Sequence, residues 1–444
     1  MSRPRNILFF ANTKHNADCV AEHISGVQAQ SKHNWFVLNS LRNRMVSKLD
    51  LNHFDAVGFH YSIHPHESYY CSKELFEKVR NYTGVKFLFL QDEYENVDLT
   101  SSAMFDLGMD ILFTVVRPEL HHVSYNHPGL AQMKRVTVMA GYAPNPEKNY
   151  EFVPMQDRNL DIFYRSRVCP LNAGTLGYEK SLIARRVKEK SKKYNLNVDI
   201  SVREEDRLYG KDWIKYLSHC RATLGTESGA SVWDRDGSVA RELDEALGRN
   251  PHASFEELFD EVLKPHDGKL LYSSISPRIF EAAALKTPQI LFPGWYNELI
   301  EPGVHYFELK KDFSNFEEMV KVLKDDDFLS ELAENAYRDL IASKLHNQDS
   351  LGFVVNEALE ERWRLNSFET ASSLKQIEHS INEVEKKYKT SKALSNFSAE
   401  ITFGIQHFLK VINNPRYRGF RKFKRLYEIF LRYCTHLKPR LIGS

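Results

Sequence analysis

Ser276-Pro277-Arg278-Ile279-Phe280-Glu281-Ala282-Ala283-Ala284-Leu285-Lys286-Thr287-Pro288, running straight into Gln289-Ile290-Leu291-Phe292, packs a complete helix start, a helix stop and a buried strand into seventeen residues. Serine is a favoured N-cap and proline suits the first helical position, where its missing N–H is no loss. Thr287-Pro288 closes the helix, and the apolar run after it reads as a strand covered on both faces. A helix N-terminus offers unpaired N–H groups and a partial positive charge, which suits a diphosphate. Glu281 lies one turn further in, placed to accept hydrogen bonds from ribose hydroxyls. The same features also suit a plain amphipathic helix with Glu281 at its rim.

Working outward, the strand–helix alternation fills most of the chain. Apolar runs occur at Asn6–Ala11, Trp35–Leu38, Ala56–Tyr61, Lys86–Leu90, Ile111–Val116 and Val136–Met139. After a proline-containing linker, 143–148, they return at Leu160–Tyr164, Val198–Val202, Ala222–Gly225, Gln289–Phe292 and Tyr306–Leu309. Continuous rather than alternating apolar runs predict parallel strands with helices on both sides. The fold class expected is therefore α/β: two Rossmann-like doubly wound domains, 1–145 and 150–345, facing each other across a cleft. Residues 234–271 form a charged, partly helical insert expected to act as a cover. Residues 346–444 form a helical extension that packs back across the first domain. Within it, 358–389 reads as one long polar helix with Leu374, Ile377, Ile381 and Val384 on one face, packed on its own protein rather than in a coiled coil.

At roughly 150 residues per domain, 444 residues make two to three domains. With 42% hydrophobic and 27% charged residues, disorder and fibrous classes are excluded. The run Ile7–Ala11 is too short for a signal peptide or a membrane span. Five scattered cysteines without C-x-x-C predict neither disulfides nor a zinc site, and a reduced, cytoplasmic compartment. The net charge of +1 conceals a basic end: from Lys410 onward ten Lys and Arg face one acid, leaving the first 409 residues with an excess of eight acids.

Residues 276–303 resemble the C-terminal domain of GT-B glycosyltransferases, and are most similar to its spore-maturation, CgeB-like subgroup. The likeness rests on Phe280-Glu281-Ala282 with Thr287-Pro288, then Glu301-Pro302-Gly303, and on Gly225-Thr226-Glu227-Ser228-Gly229 as the glycine-bearing turn of that domain. It implies sugar transfer from a nucleotide-sugar donor on the second domain to a hydroxyl of a glycan or lipid-linked acceptor on the first. Retaining members carry two glutamates eight residues apart, but here Ser273 stands eight before Glu281. Glu227 is the displaced first glutamate if the insert is looped between them, and would then contact the sugar. The segment Leu160–Arg167 resembles the first strand of the same domain, which ends in a phosphate-binding arginine. Arg167 is preferred for stabilising leaving-group charge, and Arg165 and Lys180 are further donor-binding candidates, with Ser228, Gly229, Ser276, Arg278 and Glu281.

On the first domain His60 and Asp92 are the candidate catalytic groups, with Glu93, Lys14 and His15 also at strand ends. A retaining, front-side reaction needs no base there. Asp234-Arg235-Asp236 matches a metal-binding D-x-D, but the following Gly237 favours a solvated turn. His60, His64 and His66 alternate as a strand or loop would. No essential metal and no other cofactor are expected. A nucleotide-sugar epimerase, a phosphorylase, or a non-catalytic nucleotide- or nucleic-acid-binding protein are the alternatives. The acidic body argues against nucleic acid. In 415–444 seven basic residues from Arg416 to Arg432 interleave with Tyr417, Phe420, Phe423, Leu426 and Phe430, predicting an amphipathic segment that holds the enzyme peripherally on the inner face of an anionic membrane.

Overall fold

The computed structural model describes residues 3–144 and 152–388, apart from 16, 17, 42, 43, 367, 369 and 371. Most of the linker and the whole basic tail, 415–444, lie outside the described residues.

Six strands build the first sheet: β1 (Asn6–Phe10), β2 (Asn34–Leu38), β3 (Ala56–Phe59), β4 (Val85–Phe89), β5 (Ile111–Thr114) and β6 (Lys134–Thr137), in the order β2-β1-β3-β4-β5-β6. Every pairing is parallel. The uniform burial of β1, β3, β4 and β5 is what made them legible as unbroken apolar runs. Aromatic packing fills this core, with Phe9 stacked on Phe87 and Phe89 on Phe113 at ring separations of 5.7 and 4.4 Å.

The second sheet contains β7 (Leu160–Arg165), β8 (Val198–Ser201), β9 (Cys220–Gly225), β12 (Gln289–Leu291) and β13 (Phe307–Glu308), ordered β13-β12-β9-β7-β8 and again wholly parallel. Between β9 and β12 a short antiparallel pair, β10 (Ser228–Ala230) and β11 (Tyr272–Ser274), frames the insert. The chain thus adopts two Rossmann-like α/β domains.

The C-terminal extension returns to the first domain. Along the Gln348–Leu365 helix, Leu351, Val355, Leu359 and Trp363 join the first core. Gly352 permits this contact, since a Cβ there would stand 2.0 Å from the carbonyl oxygen of Ala29. The single helix expected over 358–389 is instead two. Asn366 ends the first in an extended conformation, and Ser373 opens the second, 374–388, by exchanging hydrogen bonds with Gln376 in a capping box. Ile377 and Val384 of the second helix are buried in the first core.

The insert is more than a cover. Its Ser238–Arg249 helix and the turns after it have a core of their own, including Val239, Leu243, Leu258 and Val262. Asp234 is buried rather than solvated, and accepts from the N–H groups of Val239 (3.3 Å) and Ala240 (3.0 Å), capping that helix. Its own N–H donates to the Tyr94 carbonyl (2.8 Å), while the Asp98 N–H donates to the Arg235 carbonyl (2.9 Å), so the insert's first residues tie the two domains together. Asp236 accepts from the Ser238 N–H (3.0 Å). Both carboxylates of the D-x-D thus serve backbone amides.

Candidate active site

The Pro277–Ala284 helix starts as its sequence predicts. Ser276 is extended (φ −76°, ψ 139°) and its hydroxyl accepts from the Arg278 N–H, with Pro277 in the first turn. Ile279, Phe280 and Ala283 are buried, which fixes the opposite face toward the cleft. On that face Glu281 accepts a hydrogen bond from the indole N–H of Trp213 at 2.8 Å. Burial raises the Glu281 pKa, opposed by the Arg278 guanidinium. Arg278 donates to the carbonyl of Arg165 and lies 5.4 Å from the centre of the Trp213 ring.

Two cavities meet at this helix start, sharing Ala140 and Pro277. The larger, about 420 Å³, has Tyr209, Trp213, Arg278 and Glu281 on its second-domain wall, and Glu22 and His23 on its first-domain wall. The smaller, about 200 Å³, is lined by Asp92, Arg167, Lys180, Ser228, Gly229 and Tyr272. Neither Arg167 nor Lys180 has its side chain in a hydrogen bond or ion pair among the described residues. Burial lowers the Lys180 pKa, a cost that a bound anion offsets.

Local backbone shapes the smaller cavity. Asp92 has a positive φ of 54°, uncommon outside glycine and the short polar residues, and its N–H donates to the Tyr272 hydroxyl at 3.1 Å. Gly229 has φ 124°, and a Cβ there would lie 1.7 Å from the Tyr272 carbonyl oxygen. Only glycine fits this close crossing of β10 and β11.

Nine of the eleven residues singled out from sequence therefore line these cavities: Arg165, Ser276, Arg278 and Glu281 the larger, Asp92, Arg167, Lys180, Ser228 and Gly229 the smaller. Arg165, however, is committed elsewhere. Its guanidinium pairs with the Asp199 carboxylate at 2.7 Å and donates to the carbonyls of Asp199 (3.0 Å) and Asp206 (2.9 Å). That engagement across β7 and β8 makes it a brace rather than a free donor to phosphate.

The other two residues lie off both cavities. Glu227 is 7% exposed and accepts from the Trp295 N–H at 2.8 Å. Its carboxylate interacts with the Ser273 hydroxyl, and it lines neither cavity. Burial raises its pKa, against Arg117 and Lys311. His60 is wholly buried, which removes it from contact with an acceptor in this conformation. Its ring sits 5.8 Å from that of Phe9 and its Nδ1 accepts from the Ser62 N–H at 3.1 Å. Nε2 therefore carries the proton and donates to His23 Nδ1 at 3.0 Å. Glu93 is spent in the same way: the Thr114 hydroxyl lies 2.7 Å from both carboxyl oxygens, and one of them accepts from the Val115 N–H at 3.0 Å. Burial pushes its pKa up to about 8.

Trp213, Tyr209, His23 and Tyr272 are wall residues that the sequence reading missed. Tyr209 and Trp213 stand four apart around the start of the Gly210–His219 helix, a spacing that puts two aromatic rings on one side and was there to be read. His23 and Tyr272 reach the cleft only through tertiary structure.

Several known structures are similar to the chain in outline. Anabaena HepE, solved in complex with UDP, gives a TM-score of 0.46 at 10% identity, covering 80% of this chain and 100% of its own. Sucrose-phosphate synthase from Thermosynechococcus elongatus gives 0.45 at 10% identity, over 81% and 100%. An alpha-glucosyltransferase in complex with UDP-glucose and DNA containing an abasic site gives 0.44 at 10% identity, over 83% and 100%. No protein-family profile matches the chain, and no characterised protein matches it by sequence.

Proposed function

We propose that the chain is a glycosyltransferase of the GT-B type, allied to the CgeB-like subgroup, that moves a sugar from a nucleoside-diphosphate donor to a hydroxyl of a glycan or lipid-linked acceptor. One observation carries this reading. At the Ser276 helix start, an aromatic-walled cavity holding Glu281 adjoins a smaller one holding two cations, Arg167 and Lys180, whose side chains make no hydrogen bond or ion pair among the described residues. That sequence of surfaces matches a nucleoside, then a diphosphate, then a sugar. The base fits beside Tyr209 and Trp213, Glu281 accepts from the ribose hydroxyls, and the diphosphate lies across the helix start between the cavities. The sugar then extends toward Asp92.

In the reaction the bond from the anomeric carbon to the β-phosphate oxygen breaks, and the acceptor oxygen bonds to that carbon. The acceptor's proton passes to the leaving phosphate oxygen in a front-side, retaining course. Arg167 and Lys180 stabilise the negative charge that grows on the diphosphate, a role for which no metal is needed. The carboxylate of Asp92 on the smaller cavity favours a second reading, in which it takes the acceptor's proton and the course is inverting. Stereochemical analysis of the product separates the two.

Thermal-shift measurements with UDP, GDP, CMP and their sugars test the donor assignment, since a ligand of the native state raises its stability with the logarithm of concentration over dissociation constant. A diphosphate nucleotide is expected to raise the melting temperature; no shift across the whole panel defeats the reading. No helix among the described residues is long and apolar enough to cross a membrane. The composition of 415–444 supports peripheral attachment to the cytoplasmic face of an anionic bilayer, at about 1 kcal/mol per basic residue near the surface. Removing 415–444 is expected to abolish sedimentation with anionic vesicles while nucleotide binding survives.

A further inference from the structure

The segment after β3 is not an alternating strand. His64-Pro65-His66-Glu67 is a turn, closed by the Glu67 N–H donating to the His64 carbonyl at 3.0 Å and continued by the N–H groups of Tyr70 (2.9 Å) and Cys71 (3.0 Å) donating to the Glu67 carbonyl. The spacing that would send alternate histidines to opposite faces therefore does not apply. Instead His64, His66 and Glu67 each bring one donor atom within 4.8 Å of the other two. The two imidazole rings meet edge to face with centroids 5.8 Å apart, and His66 Nε2 lies 3.9 Å from the Glu67 carboxylate. Nδ1 of His66 is shielded from solvent and has no hydrogen-bond partner among the described residues.

We infer that this turn is a binding site for a zinc-class divalent cation, held by His64, His66 and Glu67, with the remaining coordination left to water. Two imidazoles and one carboxylate form a donor set that suits Zn²⁺ or Co²⁺ and suits Mg²⁺ or Ca²⁺ poorly. A tetrahedral ion with bonds of about 2.0–2.1 Å needs donors about 3.4 Å apart, so closure takes side-chain rotation of about an ångström. Glu67 is exposed and free to supply it, while buried Pro65 stiffens the turn between the two histidines. The Asp92 carboxylate acts electrostatically on His64, which puts the turn on the first domain's side of the smaller cavity. The presence of this cation is testable without an activity assay.

The test uses untagged, full-length protein freed of metal with a chelator and titrated with Zn²⁺ in competition with a chromophoric indicator. One equivalent is expected, with a dissociation constant below about 1 μM, and Co²⁺ is expected to give visible bands of four- or five-coordination. His64→Ala, His66→Ala and the milder Glu67→Gln are each expected to weaken Zn²⁺ about 100-fold or more, while exposed His122→Ala leaves it unchanged. Circular dichroism and melting of the metal-free variants show which of them fold; Glu67→Gln, at an exposed position, keeps the comparison informative if a histidine variant does not. No saturable uptake up to about 100 μM Zn²⁺, or uptake indifferent to all three substitutions, overturns the site.

Discussion

At the carboxyl ends of the first sheet, His60 and Glu93 direct their polar atoms into the protein: His60 to Ser62 and His23, Glu93 to Thr114 and Val115. Beyond the second sheet, Arg167 and Lys180 hold positive charge at a cavity with no hydrogen bond or ion pair among the described residues. All four are ionisable side chains; the difference is whether the fold itself supplies the partner. A buried polar group already satisfied stabilises the fold, whereas one held at a cavity without a partner is prepared for a ligand. By that criterion the face proposed for the donor is the prepared one, and on the face proposed for the acceptor Asp92 is the strand-end carboxylate that remains at the cavity.

The strongest way to break this contrast is to remove the unpaired cations. Arg167→Ala is expected to lower turnover about 10²–10³-fold, with a smaller change in donor affinity, because leaving-group charge develops only in the transition state. Steady-state kinetics with direct measurement of nucleotide binding separates the two. Wild-type turnover would show that the cationic cavity is not where the charge grows.

The satisfied side makes the opposite prediction, on stability rather than rate. Glu93 has a folded pKa of about 8, above its ordinary 4.5, because burial penalises the carboxylate. The native state therefore holds a proton that the unfolded chain releases. The stabilisation this gives is complete below about pH 4.5 and is lost as pH rises through 8. Glu93→Gln removes the ionisation, so the variant's stability is expected to stay flatter than wild type between pH 5 and 8, by on the order of 3 kcal/mol at the upper end. Urea denaturation at several pH values measures it, and parallel curves would show that Glu93 ionises freely.

Between these sides lies what the sequence could and could not carry. Parallel strands announce themselves because both faces are buried; β6 was placed two residues late because it begins Lys134-Arg135, half-exposed at the sheet edge. The helix start at Ser276 was legible because capping is local. His60, Asp92 and Glu93 were indistinguishable as polar residues after apolar runs, since their partners come from elsewhere: His23 is 37 positions from His60, and Thr114 is 21 from Glu93. Arg165 and Arg167 read alike at the end of a strand, and only Asp199 on β8 reveals that the first is occupied. The break of the last helix at Asn366 was hidden for the same reason, because the Thr370 N–H is anchored on Asp55, more than 300 residues earlier.

Glu281 falls between the two classes, engaged by one partner and still facing a cavity. Its indole contact with Trp213 leaves acceptor capacity for ribose, and such contacts exist equally in ground and transition states. Glu281→Ala is therefore expected to weaken donor binding about tenfold, about 1.4 kcal/mol, with little change in the rate at saturation. Calorimetric titration of the nucleotide detects it. A fall in saturated turnover with affinity intact would move Glu281 from binding into the chemistry.

The smallest effect is expected at Asp236, and it probes the same contrast at the seam of the two domains. If the D-x-D held a catalytic metal, Asp236 would be a ligand and its loss would be as severe as that of Arg167. In the structure its carboxylate accepts from the Ser238 N–H and is held below its ordinary pKa by the Ser238 side chain and backbone, while Asp234 caps the following helix. Both carboxylates are thus satisfied groups of the first kind. Asp236→Asn keeps an acceptor oxygen for that N–H and is expected to leave turnover within about twofold of wild type, with or without EDTA. A large loss in the variant, matched by EDTA inhibition of the wild type, would recast the seam as a metal site and Asp236 as a group prepared for a ligand.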